Sequence, residues 1–128
     1  MKITFLGQGY NKVTHRSTGK YLIDFLKSKQ FSSFTGISAF ASAAVVELLS
    51  EYLLDSKMEH INLIVGIDQE GTSKDALEEI LKLNVNSYIF YQKESPIFHP
   101  KIYLFESDIK TVLIVGSSNL TTNGLFSN

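Results

Sequence analysis

The sequence contains no cysteine and no tryptophan, only two prolines, and no apolar run approaching the ~18 residues that a membrane-spanning helix requires. Without cysteine there are no disulfides and no thiolate metal ligands, a composition that fits a reducing cytosol. The opening stretch MKITFLGQGYNK has too short an apolar segment for a signal peptide, so the chain reads as soluble and cytoplasmic. A surplus of one charge is missing as well. Lys and Arg number 12 against 13 Asp and Glu, a net charge of −1, and such a chain has no long-range field to gather a polyanion. Attraction to nucleic acid must then be local or come from another part of a protein. Linker tracts, internal repeats and low-complexity segments are also lacking, which leaves residues 1–128 as one domain.

What is present is an apolar fraction of 44%, enough for an ordinary core, arranged in two alternating periods. Leu22, Phe25 and Leu26 follow Ser17 and Thr18 at helical spacing, and Val45, Leu48, Leu49, Tyr52 and Leu53 follow Ser42. Ala76, Leu77, Ile80 and Leu81 repeat the pattern after Ser73. The spacing predicts helices near 19–29, 42–56 and 74–83, with Ser42 and Ser73 as caps. Runs rich in β-branched and aromatic residues predict strands at 31–40, 60–67, 86–92, 97–105 and 111–116. Alternation of this kind gives an α/β fold with a mixed, mostly parallel sheet flanked by helices on both faces. The last two strands, joined only by Glu106 to Lys110, suit an antiparallel hairpin. NLIVGI at 62–67 is apolar on both faces, the pattern of a buried central strand.

The chemistry concentrates in the last thirty residues. His99 and Lys101, two apart on an expected strand, share a face. An imidazole and a fixed ammonium beside Ile97, Ile102 and Leu104 call for an anion or a solvated cleft. Where the final apolar strand ends, Gly116-Ser117-Ser118-Asn119 offers a glycine at a turn and small polar side chains that can converge on a ligand. Other groupings carry less. Gly66 to Ser73 has the two glycines of a nucleotide-binding loop, but Thr72 stands where its lysine must be. Asp68 and Glu70 have no third ligand nearby for a metal, and a solvated loop is the simpler reading. His15, close to Lys12 and Arg16, reads as part of a polar loop and His60 as an edge or cap residue. Tyr88, Phe90 and Tyr91 read as sheet packing before base-stacking groups.

His-x-Lys, a following acid and Gly-Ser-x-Asn together form a pattern that resembles the phospholipase D superfamily. Here it stands as His99-Pro100-Lys101, then Glu106, then Gly116-Ser117-Ser118-Asn119. The longer form, with Ile102-Tyr103 after the Lys and Leu120-Thr121 and Gly124-Leu125 after the Asn, is most similar to the metal-independent restriction endonuclease branch. Two departures are visible: Glu106 stands where the pattern has Asp, and the spacing to Gly116 is longer.

The resemblance implies a phosphodiesterase, a DNA endonuclease of restriction type, acting through a phosphohistidine without metal or cofactor. His99, Lys101 and Asn119 would be catalytic and Gly116, Ser117 and Ser118 would contact the substrate. Glu106 receives no catalytic role. With a single His-x-Lys, the second imidazole would come from another copy in a homodimer. In that branch an Asn-x-Glu follows the Gly-Leu. Asn128 would be its Asn, so the expectation is a domain truncated at its C-terminal end and poorly active alone, with Gly124-Leu125-Phe126 short of packing partners. DNA recognition would reside in a separate domain absent here, with no membrane involved. Phospholipid hydrolysis or phosphatidyl transfer, a non-catalytic phosphate-binding or dimerisation module, and an inactive fragment of a larger enzyme are the alternatives.

Overall fold

The structure is a computed structural model and describes residues 1–6 and 16–127. Five strands form one sheet in the order β3-β2-β1-β4-β5. Helix α1 (Thr18–Ser28) precedes β1 (Ser33–Ser38), α2 (Ala43–Ser56) leads to β2 (His60–Gly66), and α3 (Lys74–Lys82) leads to β3 (Asn86–Phe90). β4 (Lys101–Glu106) and β5 (Thr111–Val115) follow, and a single π-helical turn spans Asn123–Ser127. β1, β2 and β3 are parallel, whereas β4 runs antiparallel to β1 and to β5. The mixed α/β sheet and its closing hairpin are those the sequence leads one to expect. The hairpin turn is tight, with Ser107 N–H donating to the Lys110 carbonyl over 2.8 Å.

Local chemistry sets the ends of the elements. Ser17 and Ser73 accept the N–H groups of Lys20 and Ala76 and cap α1 and α3. Ser42 occupies the cap position of α2, but its hydroxyl makes no cap bond. β4 begins at Lys101, four residues later than the apolar pattern suggests. Pro100 has no N–H to give a ladder, and the Phe98 N–H donates to a side chain instead.

The helices gather on one face of the sheet, not on two. Leu22 and Leu26 of α1, Val45, Leu49 and Leu53 of α2 and Ile80 of α3 share one core with Phe34, Leu63, Val65, Tyr103 and Phe105. The reason is topological. The steps β1 to β2 and β2 to β3 run the same way along the sheet, and right-handed crossovers in one direction deposit their helices on one side. Within this core Phe34 and Phe105 lie 4.8 Å apart, centroid to centroid, and Phe25 and Phe31 pack edge-on at 5.9 Å.

The opposite face carries a row in register: Tyr88, Ile64, Ile37, Ile102 and Val115. None of these side chains joins the core, and β2 is buried only at Leu63, Val65 and Gly66 along its alternating pattern. The expectation that NLIVGI is buried on both faces is therefore corrected. Of the strand aromatics read as packing, Tyr88 and Tyr91 are exposed on edge strand β3 and its continuation, whereas Phe90, although 39% exposed, stacks on Phe98.

The C-terminal turn departs from expectation in the other direction. Leu125 is fully buried in the core, and Phe126 packs so closely over Gly19 of α1 that a side chain there would meet its ring. The segment after Leu120 is integral to the fold because β5 delivers it back onto α1.

Candidate active site

Strand directions bring the carboxyl ends of β1, β2, β3 and β5 and the amino end of β4 to one edge of the sheet. That edge is where loops of an open α/β sheet converge on ligands. His99 lies in the coil that leads into β4, exposed to solvent. Lys101 occupies the first inward-facing position of β4, opposite Ser38 of β1, and is only 5% exposed. Its Nζ donates to the His99 carbonyl at 2.9 Å and lies 2.6 Å and 2.9 Å from Nδ1 and Nε2 of the same ring. The lone pairs of the two ring nitrogens diverge, so at most one of these approaches is an in-plane hydrogen bond. The pair is brought together as expected, although through a coil residue beside a strand residue and not through alternation within one strand.

Lys101 is a buried cation, and no carboxylate among the described residues lies within ion-pair distance of it. Burial alone pushes its ammonium below the ordinary lysine value. A buried charge of this kind, with an exposed imidazole beside it, can accept an anion as its counter-charge.

Asn119 is held at the same edge. Its Oδ1 accepts the Phe40 N–H at 3.3 Å, which turns the amide NH2 away from that backbone as a donor. The hydroxyl of fully buried Ser38 accepts the Leu120 N–H at 2.9 Å and donates to the Phe40 carbonyl at 2.6 Å. With its proton so used, its 3.4 Å approach to Asn119 Oδ1 is a contact and not a second donation. Tyr103 OH donates to the Ser118 carbonyl at 2.5 Å, Thr18 and Ser118 hydroxyls meet at 3.2 Å, and Gly116 N–H donates to the Lys101 carbonyl. Burial raises the Tyr103 phenol far above its ordinary value, so it stays a donor.

Gly116 has no atom within 4 Å of where a Cβ would stand, so the chain's own packing does not demand glycine there. Gly124 is different. A Cβ on it would meet the Asn119 backbone at 2.5 Å, so its absence lets the C-terminal turn close against the Asn119 turn. Ser117 is exposed on the same turn as Ser118 and Asn119.

Residues read in the sequence as peripheral fall into two groups. Glu106 is at the far end of β4, roughly 17 Å from Lys101 at the usual strand rise, exposed and opposite Thr111. His60 starts β2 at that same far end, while His15 and Lys12 lie outside the described residues. Arg16 pairs with Asp24 at 3.3 Å. Asp68, read with Glu70 as a solvated loop, is instead buried, as is Thr72, while Glu70 is exposed. Thr72 Oγ1 donates to the Gly66 carbonyl at 2.7 Å and accepts the Ala41 N–H at 3.1 Å, and Asp68 accepts the N–H groups of Gln92 and Phe98. Sequence reading missed Ser38, Asp68, Thr72 and Tyr103. A faint signal existed for Ser38, which continues the inward alternation of Phe34 and Gly36 to the strand's end.

Among the described residues, no cluster of three or more His, Asp or Glu stands together as a metal site, and no helix is long and apolar enough to cross a membrane. Residues 21–128 match the family described as the NgoFVII restriction endonuclease N-terminal PLD domain. The chain belongs to this family. The matched region includes all of the His99, Lys101 and Asn119 geometry described above. A similar protein is aq_aa28 of Aquifex aeolicus (strain VF5), 22% identical over 94% of this chain and 78% of that one. Among solved structures, a mutant of yeast tyrosyl-DNA phosphodiesterase 1 is similar over 80% of this chain, at 16% identity and a TM-score of 0.47. This chain spans 25% of the length of that one. The PLD family assignment thus rests on the sequence match.

Proposed function

We propose that this PLD domain hydrolyses phosphodiesters of DNA, with His99 as nucleophile. The observation that carries the reading is Lys101, a buried ammonium lacking a carboxylate, held against an exposed imidazole at the loop edge of the sheet. A phosphodiester satisfies both groups. One nitrogen of His99 attacks phosphorus, an N–P bond forms, and the P–O bond to the leaving oxygen breaks. That oxygen needs a proton, and one domain offers a single imidazole for the two tasks. His99 of the partner subunit in a two-fold homodimer supplies the proton and, then neutral, takes one from the water that attacks the phosphohistidine. The N–P bond breaks and His99 is regenerated. Lys101 and the Asn119 amide hold the charge on the phosphoryl oxygens through both steps. Gly116, Ser117 and Ser118 line the open side, where the missing Cβ of Gly116 leaves room for the nucleotide backbone.

A cation beside an imidazole repels a divalent metal ion, so the reaction proceeds without one. The near-neutral net charge supports a separate DNA-recognition part of the whole protein. The test is cleavage of 32P-labelled DNA by the purified protein in excess chelator, quenched in alkali to preserve a phosphohistidine. Label retained on the protein and lost in His99→Ala is expected. Cleavage that stops with chelator and returns with magnesium contradicts the proposal.

A further inference from the structure

Asp68 lies just beyond the carboxyl end of β2 and is 4% exposed. A carboxylate so deeply placed normally has a cation beside it, and here backbone amides take that role. Oδ1 accepts the Gln92 N–H at 3.0 Å and Oδ2 accepts the Phe98 N–H at 3.2 Å. The two donors bracket the exposed residues Lys93 to Ile97, so a single side chain closes the neck of the loop that passes from β3 to β4. Phe98 is the residue immediately before His99.

Three further contacts seat Phe98. Its ring stacks on Phe90 with centroids 4.4 Å apart and planes 20° apart. Phe90 in turn is tied by its carbonyl to the Ile67 N–H, next to Asp68. Gly66 lacks the Cβ that would strike both Phe98 Cδ1 and the Ala39 carbonyl at 2.8 Å. On the other side of His99, the Pro100 carbonyl accepts the Ala39 N–H, and the Phe40 ring meets the imidazole edge-on. His99 is thereby fixed on both flanks although it belongs to no strand.

We infer that Asp68 is the positioning residue for His99, a two-armed acceptor that holds the loop from Gln92 to Phe98 closed and the imidazole against Lys101. The inference rests on the catalytic reading of His99, but the geometry of the clamp stands apart from it. Neutral amide at position 68 keeps one oxygen acceptor and turns an NH2 donor toward the other backbone N–H, so one arm opens. Alanine removes both arms.

The experiment compares Asp68→Asn and Asp68→Ala with Ser56→Ala in the full chain. Ser56 is a buried hydroxyl at the end of α2 bonded to the Leu53 carbonyl, remote from the loop, and controls for a general loss of stability. Amide hydrogen exchange at Gln92 and Phe98 reads the clamp, the His99 imidazole titration by NMR reads its contact with Lys101, and single-turnover diester cleavage reads positioning. Faster exchange at both amides in Asp68→Ala, a displaced His99 titration, and a kcat lowered on the order of tenfold to a hundredfold at little-changed KM are expected. Ser56→Ala should show none of these. If Asp68→Ala does not fold, Asp68→Asn carries the same three readouts. Unchanged exchange, or unchanged His99 titration with normal kcat, overturns the inference. Absence of cleavage by the unaltered protein overturns the catalytic reading instead, and exchange and titration then still decide the role of Asp68.

Discussion

The backbone N–H of Phe40 donates to Oδ1 of Asn119 across 79 positions of sequence, joining the end of β1 to the turn after β5. This bond separates the two ends of the amide: the oxygen is engaged by the backbone, and the NH2 group is the end proposed to meet a ligand. Asn119→Asp keeps an acceptor for Phe40 and replaces the donor with an anionic oxygen. The expected outcome is a folded protein with near-normal melting temperature whose diester cleavage falls by on the order of a hundredfold or more. Calorimetry beside a cleavage assay checks it, and a fully active variant contradicts the assignment of the NH2 group.

Lys101 weakens the fold it serves. Its charge is buried without a carboxylate, so Lys101→Met, of similar length, should abolish cleavage while leaving the unfolding free energy unchanged or raised by on the order of 1 kcal/mol. A clear loss of stability counts against the uncompensated-charge description.

The pH dependence follows with its sign. The folded-state pKa of Lys101 is depressed by burial, so in the window between that value and the ordinary 10.5 the unfolded chain binds more protons than the folded one. From this group alone stability rises with pH across that window, while anion affinity falls. Vanadate or phosphate binding should raise the Lys101 pKa, measured by NMR on the labelled ε-carbon. A Lys101 titration that ignores the anion excludes contact between them.

The C-terminal turn offers a packing test. Leu125→Ala removes a fully buried side chain and should cost about 2–5 kcal/mol, whereas Leu113→Ala, on the uncovered face and 59% exposed, should change stability by less than about 1 kcal/mol. Urea unfolding distinguishes the two. Similar losses from both would mean that the face carrying Leu113 is covered in solution.

Gly124→Ala probes the junction of that turn with the site. A methyl group 2.5 Å from the Asn119 backbone must displace one of the two segments, and the expected effect is weaker anion binding together with lower stability. Binding at full strength implies that the turn yields and Asn119 does not.

What was legible in the sequence was whatever depends on side-chain type at fixed spacing. His99 and Lys101 are two residues apart and Gly116 to Asn119 are consecutive, so their convergence needed only the final hairpin to form. The helices and strands announced themselves by period, with boundaries shifted where Pro100 and the Phe98 N–H leave the ladder. The placement of α2 and α3 on one face depends on the direction of successive crossovers, and periodicity carries no such information. Asp68 was illegible for another reason: its partners are the main-chain N–H groups of Gln92 and Phe98, which any residues but proline would supply. The burial of Leu125 came from a return onto α1, through a turn with no regular period to detect.

The register that sets Ser38 opposite Lys101 has a consequence for the timing of synthesis. The partner of β1 on one side, β2, is synthesised before β4, its partner on the other, and the Phe40 N–H has no Asn119 to meet until later still. The cradle stays incomplete in a nascent chain until its last segment emerges, because Ser38 and Phe40 lie more than sixty residues before Lys101 and Asn119. The cradle closes late, over a sheet whose first three strands can already have formed, so a ribosome-bound chain that has not yet released Asn119 should fail to bind vanadate.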